Sequence, residues 1–353
     1  EQRFGFWSYK TGAFFFIISR VIGASFRMFL VVNVLQLFVF DAWGIPFWFT
    51  VVLFISLIMF YTYKGGIRTI VWTDMLQTTF MLLAVIVTIV LISGELQLSL
   101  KGLYNVVMDS DYSQFTYYNW QHKHFYLKDF FAGAFIAIVM TGLDQDMMQK
   151  NLSCRNLKDA KKNMYWMSSS LVPVNFIFLF LGAVLYIFAV SNNVSLPALS
   201  DDLFPTIALK HMAPLAGITF IIGLIAAAYS SADSAMTALT TSFTVDILGI
   251  TKKSNWDERK RIRLRYLTHF CMAILIILVI IGFKAINDQS VISTLFTLAG
   301  YTYGPLLGIY AFGLFTRHKV KDRLVPFLAV FSPALCYLIS IFDQEMLNGY
   351  TFG

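Results

Sequence analysis

Residues 80–92 read Phe80-Met81-Leu82-Leu83-Ala84-Val85-Ile86-Val87-Thr88-Ile89-Val90-Leu91-Ile92, with Thr88 the one hydroxyl in the run. Nothing alternates between apolar and polar, as a strand of a transmembrane barrel would require. In hydrocarbon such a run satisfies its backbone only by coiling into a helix. Extended outward to 67–93, the apolar character is long enough to cross a bilayer core of about 30 Å at about 1.5 Å per residue.

Composition agrees. Of 353 residues, 58% are hydrophobic and 13% charged, about half the ~25% charge of a soluble domain. Mean hydropathy is +0.67. So few charges cannot cover the surface of a soluble chain of this length. A soluble enzyme, a disordered chain and a collagen-like fibre are therefore excluded, and the outer surface is expected to face the lipid bilayer. The net charge of +7 suits basic cytoplasmic loops better than a nucleic-acid surface, and no nucleic-acid partner is expected. Cys154, Cys271 and Cys336 are too scattered for a metal site or a disulfide framework.

The 20-residue rule applied along the chain predicts nine spans, at 12–40, 46–63, 67–93, 127–150, 163–190, 214–248, 264–283, 290–315 and 325–342. Residues 94–126 read as an ordered surface segment. Residues 191–213, with Pro197 and Pro205, read as a connection holding a short interfacial helix. If the loops alternate sides, the side of the N-terminus carries 20 Lys and Arg and the other side 5. That asymmetry supports the count and places the first residues in the cytoplasm of a multi-pass cell-membrane protein, plasma or bacterial inner membrane.

Charge inside a bilayer is expensive, so each intramembrane charge is a functional candidate. Arg20 and Arg27 fall in the first span, Asp74 in the third, Asp144 and Asp146 near the end of the fourth, Asp233 in the sixth. The sixth span holds Ala226-Ala227-Ala228-Tyr229-Ser230-Ser231-Ala232-Asp233-Ser234. Small residues there make either a close packing face or an oxygen-lined site for a hard cation. Asp74 and Gln77, three apart, share a helix face. Asp74 either caps or pairs near the interface, with Arg68 as one partner, or serves the same cation.

Four segments then show a resemblance. Gly65 to Gln77 resembles the Gly-Gly-x-x-x-x-x-Trp-Thr-Asp-x-x-Gln stretch of the sodium/solute symporter family. Asp144-Gln145 through Gln149-Lys150, with Asn156 to Ala160, resembles that family's Asp-Gln-x-x-x-Gln-Arg helix end and basic loop. Ala226 to Asp246 resembles its double-serine helix. Gly300-Tyr301-Thr302-Tyr303-Gly304-Pro305 to Phe315 resembles its late Gly/Pro helix. They occur in family order across most of the chain.

The resemblance implies an all-α polytopic membrane protein with the leucine-transporter-like inverted-repeat bundle. Residues 12–93 would be the last three helices of the first repeat, 127–315 the second repeat and 325–342 an extra helix. The chain would then be a transporter domain lacking the family's first helices. The function implied is sodium-coupled symport of a small organic solute by alternating access. For one sodium ion the resemblance implies the Ala227 carbonyl and the Ser230 and Ser231 hydroxyls. For a second it implies Asp74, Asp233 and Ser234.

For the solute it implies Arg27, matching an arginine that holds the carboxylate in sialic-acid-transporting members. A structural arginine is the alternative. Ala137, Met140 with its neighbour Thr141, Ser169 and Phe296 stand at pocket positions of sugar-transporting members. None carries the sugar-binding polar group, which disfavours a hexose. Asn33, Gln36 and Asn175 are weaker candidates. Proton coupling or a neutral solute on the same fold remains open, as does a channel or sensor. An intramembrane metalloenzyme would need clustered histidines, and His122, His124, His211, His269 and His318 are scattered.

Overall fold

The computed structural model describes residues 2–62, 67–122, 124–252, 256–286 and 291–346. The described residues form helices and no strand. In chain order these are α1 (Phe6–Leu35), α2 (Phe47–Thr62), α3 (Ile67–Glu95), α4 (Leu100–Met108), α5 (Tyr126–Gly142) and α6 (Gln145–Leu152). There follow α7 (Leu157–Ser191), α8 (Leu203–Thr206), α9 (Pro214–Ser242), α10 (Glu258–Ile286), α11 (Val291–Phe315) and α12 (Val325–Met346).

The described residues of the nine predicted spans are helical apart from Leu143, Asp144 and single end residues, and the turn at Asp41–Trp43 lies beyond the first. Several bounds differ: the fifth and seventh begin at Leu157 and Glu258, and the sixth ends in a π-helical turn over Phe243–Ile247. The first begins at Phe6 and ends in a π-helical turn over Gln36–Phe40. The fourth is two helices, α5 and α6, parted at Leu143 and Asp144. The connection at 94–126 contains α4, nucleated by the Ser99 hydroxyl accepting the Gly102 amide at 3.0 Å. Among the described residues, six helices are long and apolar enough to cross a membrane: Phe6–Trp43, Asp74–Glu95, Leu157–Ser191, Pro214–Ile247, Glu258–Ala285 and Asp322–Phe342. Phe47–Phe60 is a shorter apolar helix.

Helix α9 is the axis of the bundle and packs against α3, α1, α10 and α2. Its small residues permit this. A Cβ on Gly223 would stand 2.8 Å from Ala84 Cβ of α3, so glycine is what lets the two backbones approach. The main core joins Met28 and Val32 of α1, Ile55 and Ile58 of α2, Met236 and Leu239 of α9, and Ile276 and Ile280 of α10. A second core gathers Val85 and Ile92 of α3, Leu103 of α4, Val184 and Phe188 of α7, and Leu203 of α8. Burial falls outward, from 72% of the apolar window of α1 to 11% of that of α12. A chain with a separate apolar solvent around it can leave Phe327, Phe331 and Leu338 of α12 exposed.

The start of α1 is closed by the far end of the chain. Asp322 accepts the Trp7 amide at 2.9 Å, the Ser8 amide at 2.7 Å and the Ser8 hydroxyl at 2.6 Å. This anion satisfies N–H groups that a helix start leaves open. Gly5, at φ +136°, leaves room for it, since a Cβ there would meet Asp322 Oδ2 at 2.5 Å. Arg3 donates to the Thr316 carbonyl at 2.7 Å, and Lys10 to the carbonyls of Asp246 and Ile247.

Candidate functional site

Asp233 sits about two-thirds of the way along α9 and is fully buried, with Ser234 3% exposed. The Oδ1 of Asp233 accepts the Ser234 amide, while Oδ2 is buried and has no hydrogen-bond partner among the described residues. The same holds for Ser234 Oγ, for Ser25 Oγ on α1 and for Gln77 Oε1 on α3. Helix α9 packs against both α1 and α3. A buried acceptor left unsatisfied costs about 1–3 kcal/mol. Oxygen atoms in this condition are what a hard cation binds.

Asp74 of α3 is half-buried and joins this region electrostatically, because its charge and that of Lys150 both act on Asp233. Lys150, in the last turn of α6, donates to Asp74 Oδ2 at 2.7 Å. Their side chains are 22% and 20% exposed. The Arg68 side chain, the partner expected from the sequence, lies outside the described residues.

A second charged centre lies at the break between α5 and α6. Arg20 of α1 donates to Asp144 Oδ2 at 2.5 Å, with side chains 6% and 8% exposed. Tyr303 of α11 lies within reach of the charges of Arg20, Asp144 and Arg27. Arg27 folds back along its own helix, with Nη2 3.6 Å from where a Cβ on Gly23 would stand.

The predicted residues are distributed as follows. Ala227 and Ser231 are half-buried on α9, and the Ser230 side chain lies outside the described residues. Met140 and Thr141 are half-buried and Ala137 exposed on α5, which packs against α11 and so against the helix of Phe296. Phe296 is 47% exposed. Ser169, exposed on α7, lines a separate open cavity of about 1150 Å³ with Lys158, Lys161 and Trp166. Another cavity, of about 640 Å³, lies at the start of α1 against α11 and is lined by Gly12, Phe16, Leu143, Leu306 and Tyr310. It holds none of the predicted solute residues. The described cation candidates thus lie on α9, with the charge of Asp74 on α3 acting on Asp233, while the solute candidates are spread over four helices.

Gln36 is occupied structurally, accepting from Thr50 at 2.6 Å and donating to the Ile45 carbonyl at 2.6 Å. Asn33 accepts from Lys284 at 2.6 Å, and Asn175 is exposed. Lys150, Ser25 and Tyr303 had no assigned role in the sequence. Ser25 sits between Ala24 and Phe26 after Gly23, where a serine reads as a packing residue.

A profile of the sodium:solute symporter family matches residues 21–321. The sodium/sialic acid symporter SiaT of Proteus mirabilis is 21% identical over 308 residues, covering 86% of this chain and 61% of that protein. The human sodium-coupled monocarboxylate transporter 2 is 24% identical over 294 residues, covering 78% of this chain and 44% of that protein. The chain thus spans about half the length of the curated relatives it matches. A solved structure described as the substrate-bound outward-open state of a Na⁺-coupled sialic acid symporter superposes with a TM-score of 0.75 at 21% identity. It covers 90% of this chain and 65% of that one, and establishes the likeness of fold.

Proposed function

Because the chain belongs to the sodium:solute symporter family, we propose that it imports a small carboxylate-bearing organic solute together with sodium. The observation that carries this reading is Asp233 Oδ2, a buried carboxylate oxygen without a partner on the central helix. A carboxylate at membrane depth is costly unless it binds a cation or a proton.

In this reading a first sodium ion is held by the Ala227 carbonyl and the Ser230 and Ser231 hydroxyls. A second is held by Asp74, Asp233 and Ser234. Both would lie on or beside α9, where small residues keep backbone oxygens close. Arg27 faces the solute, and its planar guanidinium suits a bidentate carboxylate. Met140, Thr141 and Ala137 on α5, Phe296 on α11 and Ser169 on α7 contribute the remaining solute contacts as the bundle closes. The relatives named for sialic acid and for monocarboxylates favour an acid over a neutral sugar.

The transport cycle needs no covalent chemistry, so no enzymatic step is invoked. Sodium enters from outside, satisfies the oxygens of α9 and draws α1, α3 and α9 together. The break at Leu143 and Asp144 lets α6 move apart from α5 when the site opens inward. Each sodium charge crossing the field contributes about 2.3 kcal/mol per 100 mV. We place the protein in the cell membrane with the start of α1 cytoplasmic, and read α1–α3 and α5–α11 as parts of two inverted repeats.

Uptake of labelled sialic acid, lactate and glucose into liposomes containing the full-length protein tests the reading. Saturable uptake of an acid driven by an inward sodium gradient is expected. Uptake indifferent to sodium, or a preference for glucose, would overturn the ion or the solute assignment respectively.

A further inference from the structure

We propose that Lys150 is a tethered competitor for the second cation, its ammonium occupying Asp74 until sodium displaces it. This rests on the sodium reading given above. Lys150 belongs to the last turn of α6, where a cation is already favoured by the helix dipole. It could remain in solvent there. Instead it reaches across to a carboxylate 76 residues earlier in the chain, at 2.7 Å. An ammonium and a sodium ion each bring one positive charge to that oxygen, so one carboxylate oxygen serves one of them at a time.

Asp233 lies in the field of both Asp74 and Lys150, so the cation that occupies Asp74 is felt at the buried carboxylate of α9. The pair is partly exposed, and the four-carbon stem of the lysine is flexible enough to swing out of it. The Arg20–Asp144 pair on the other side of α6 has neither property. Helix α6 packs against α9, so departure of the lysine is tied to the position of α6 beside the ion site. Lys150 thereby weakens sodium binding and links ion occupancy to the movement of the half-helix that carries it.

Binding of sodium-22 to the full-length protein in detergent tests this directly. Lys150→Met should bind sodium about tenfold more tightly, because a competing state that occupies the site is removed. Lys150→Arg, which keeps the charge, should stay within about threefold of the unmodified protein. Unchanged or weaker binding in Lys150→Met overturns the proposal while leaving sodium coupling intact. A total absence of sodium binding in the unmodified protein and in Lys150→Met sinks the sodium reading and this proposal with it. The unmodified protein offers a second measure that needs no variant. Acylation of Lys150 by an amine-reactive ester, followed by mass spectrometry, should be several-fold faster in sodium than in choline. Equal rates would show that sodium does not release the lysine, and would overturn the proposal.

Discussion

Helix α6 is held by an ion pair at each end, and the two pairs lie in different surroundings. At its start, Asp144 meets Arg20 with both side chains under a tenth exposed. At its close, Lys150 meets Asp74 with about a fifth of each side chain exposed. The first pair is enclosed by protein and the second is partly open. The same half-helix therefore has one enclosed attachment and one partly open attachment, which suits the proposed movement of α6.

The largest test of this contrast is removal of one dry partner. Asp144→Asn should destabilise the protein by about 3–5 kcal/mol, since it takes a carboxylate charge away from a buried guanidinium. Thermal unfolding in detergent measures it. The double variant Arg20→Met with Asp144→Leu should recover most of that loss, because an apolar pair of similar volume replaces the charges. A single-variant loss below about 1 kcal/mol would mean that the pair is as wet as its counterpart.

Asp74→Asn comes next. It should cost at most about 1 kcal/mol of stability, as expected for a partly exposed pair, yet abolish most sodium-stimulated uptake. A stability loss equal to that of Asp144→Asn would erase the distinction between the two ends. Ser231→Ala should leave both ion pairs and the melting temperature unchanged while lowering sodium-stimulated uptake at least about tenfold, if a hydroxyl ligand of about 1.4 kcal/mol is lost. Uptake with the original sodium dependence would move the first ion away from α9.

The smallest effect concerns a third carboxylate beside a lysine, outside the membrane. Burial, and then the neighbouring charge of Asp201, hold Asp202 above its ordinary pKa of 3.8, partly offset by Lys284. The folded state therefore binds this proton more tightly than the unfolded chain does. Its contribution to stability is full below pH 3.8 and is lost as pH rises through the elevated value. Asp202→Asn should flatten that part of the stability-against-pH curve. A curve unchanged by the substitution would remove Asp202 from the group of strained carboxylates.

The helices were legible because lipid imposes a long, uninterrupted apolar run on each of them. The break in the 127–150 segment was not. Gly142 and Leu143 are compatible with a continuing helix, and Asp144 leaves it to meet an arginine 124 residues away. The ion site was half legible. Asp233 and the serines announce themselves as polar residues at membrane depth, but the partner of Asp74 depends on where α6 folds. Lys150, 76 residues further along the chain, is a partner that the neighbourhood of Asp74 could not announce. Ser25 was invisible for a different reason. A hydroxyl beside Gly23 and Ala24 carries the same signal whether it packs a helix or lacks a partner. The solute residues were the least legible, because their positions came from relatives rather than from any chemistry of their own, and they lie spread over α1, α5, α7 and α11.

The carboxylate of Asp322 over the first turn of α1 also fixes an order of events during synthesis. Trp7 and Ser8 are made more than three hundred residues before the group that accepts their amides. Until then the most deeply packed helix of the bundle has an open start. A ribosome-bound chain stopped before Asp322 should leave that end accessible to hydrogen exchange, and release of the full chain should close it. The turn that leads into the least buried helix is then the one whose arrival completes the most deeply packed.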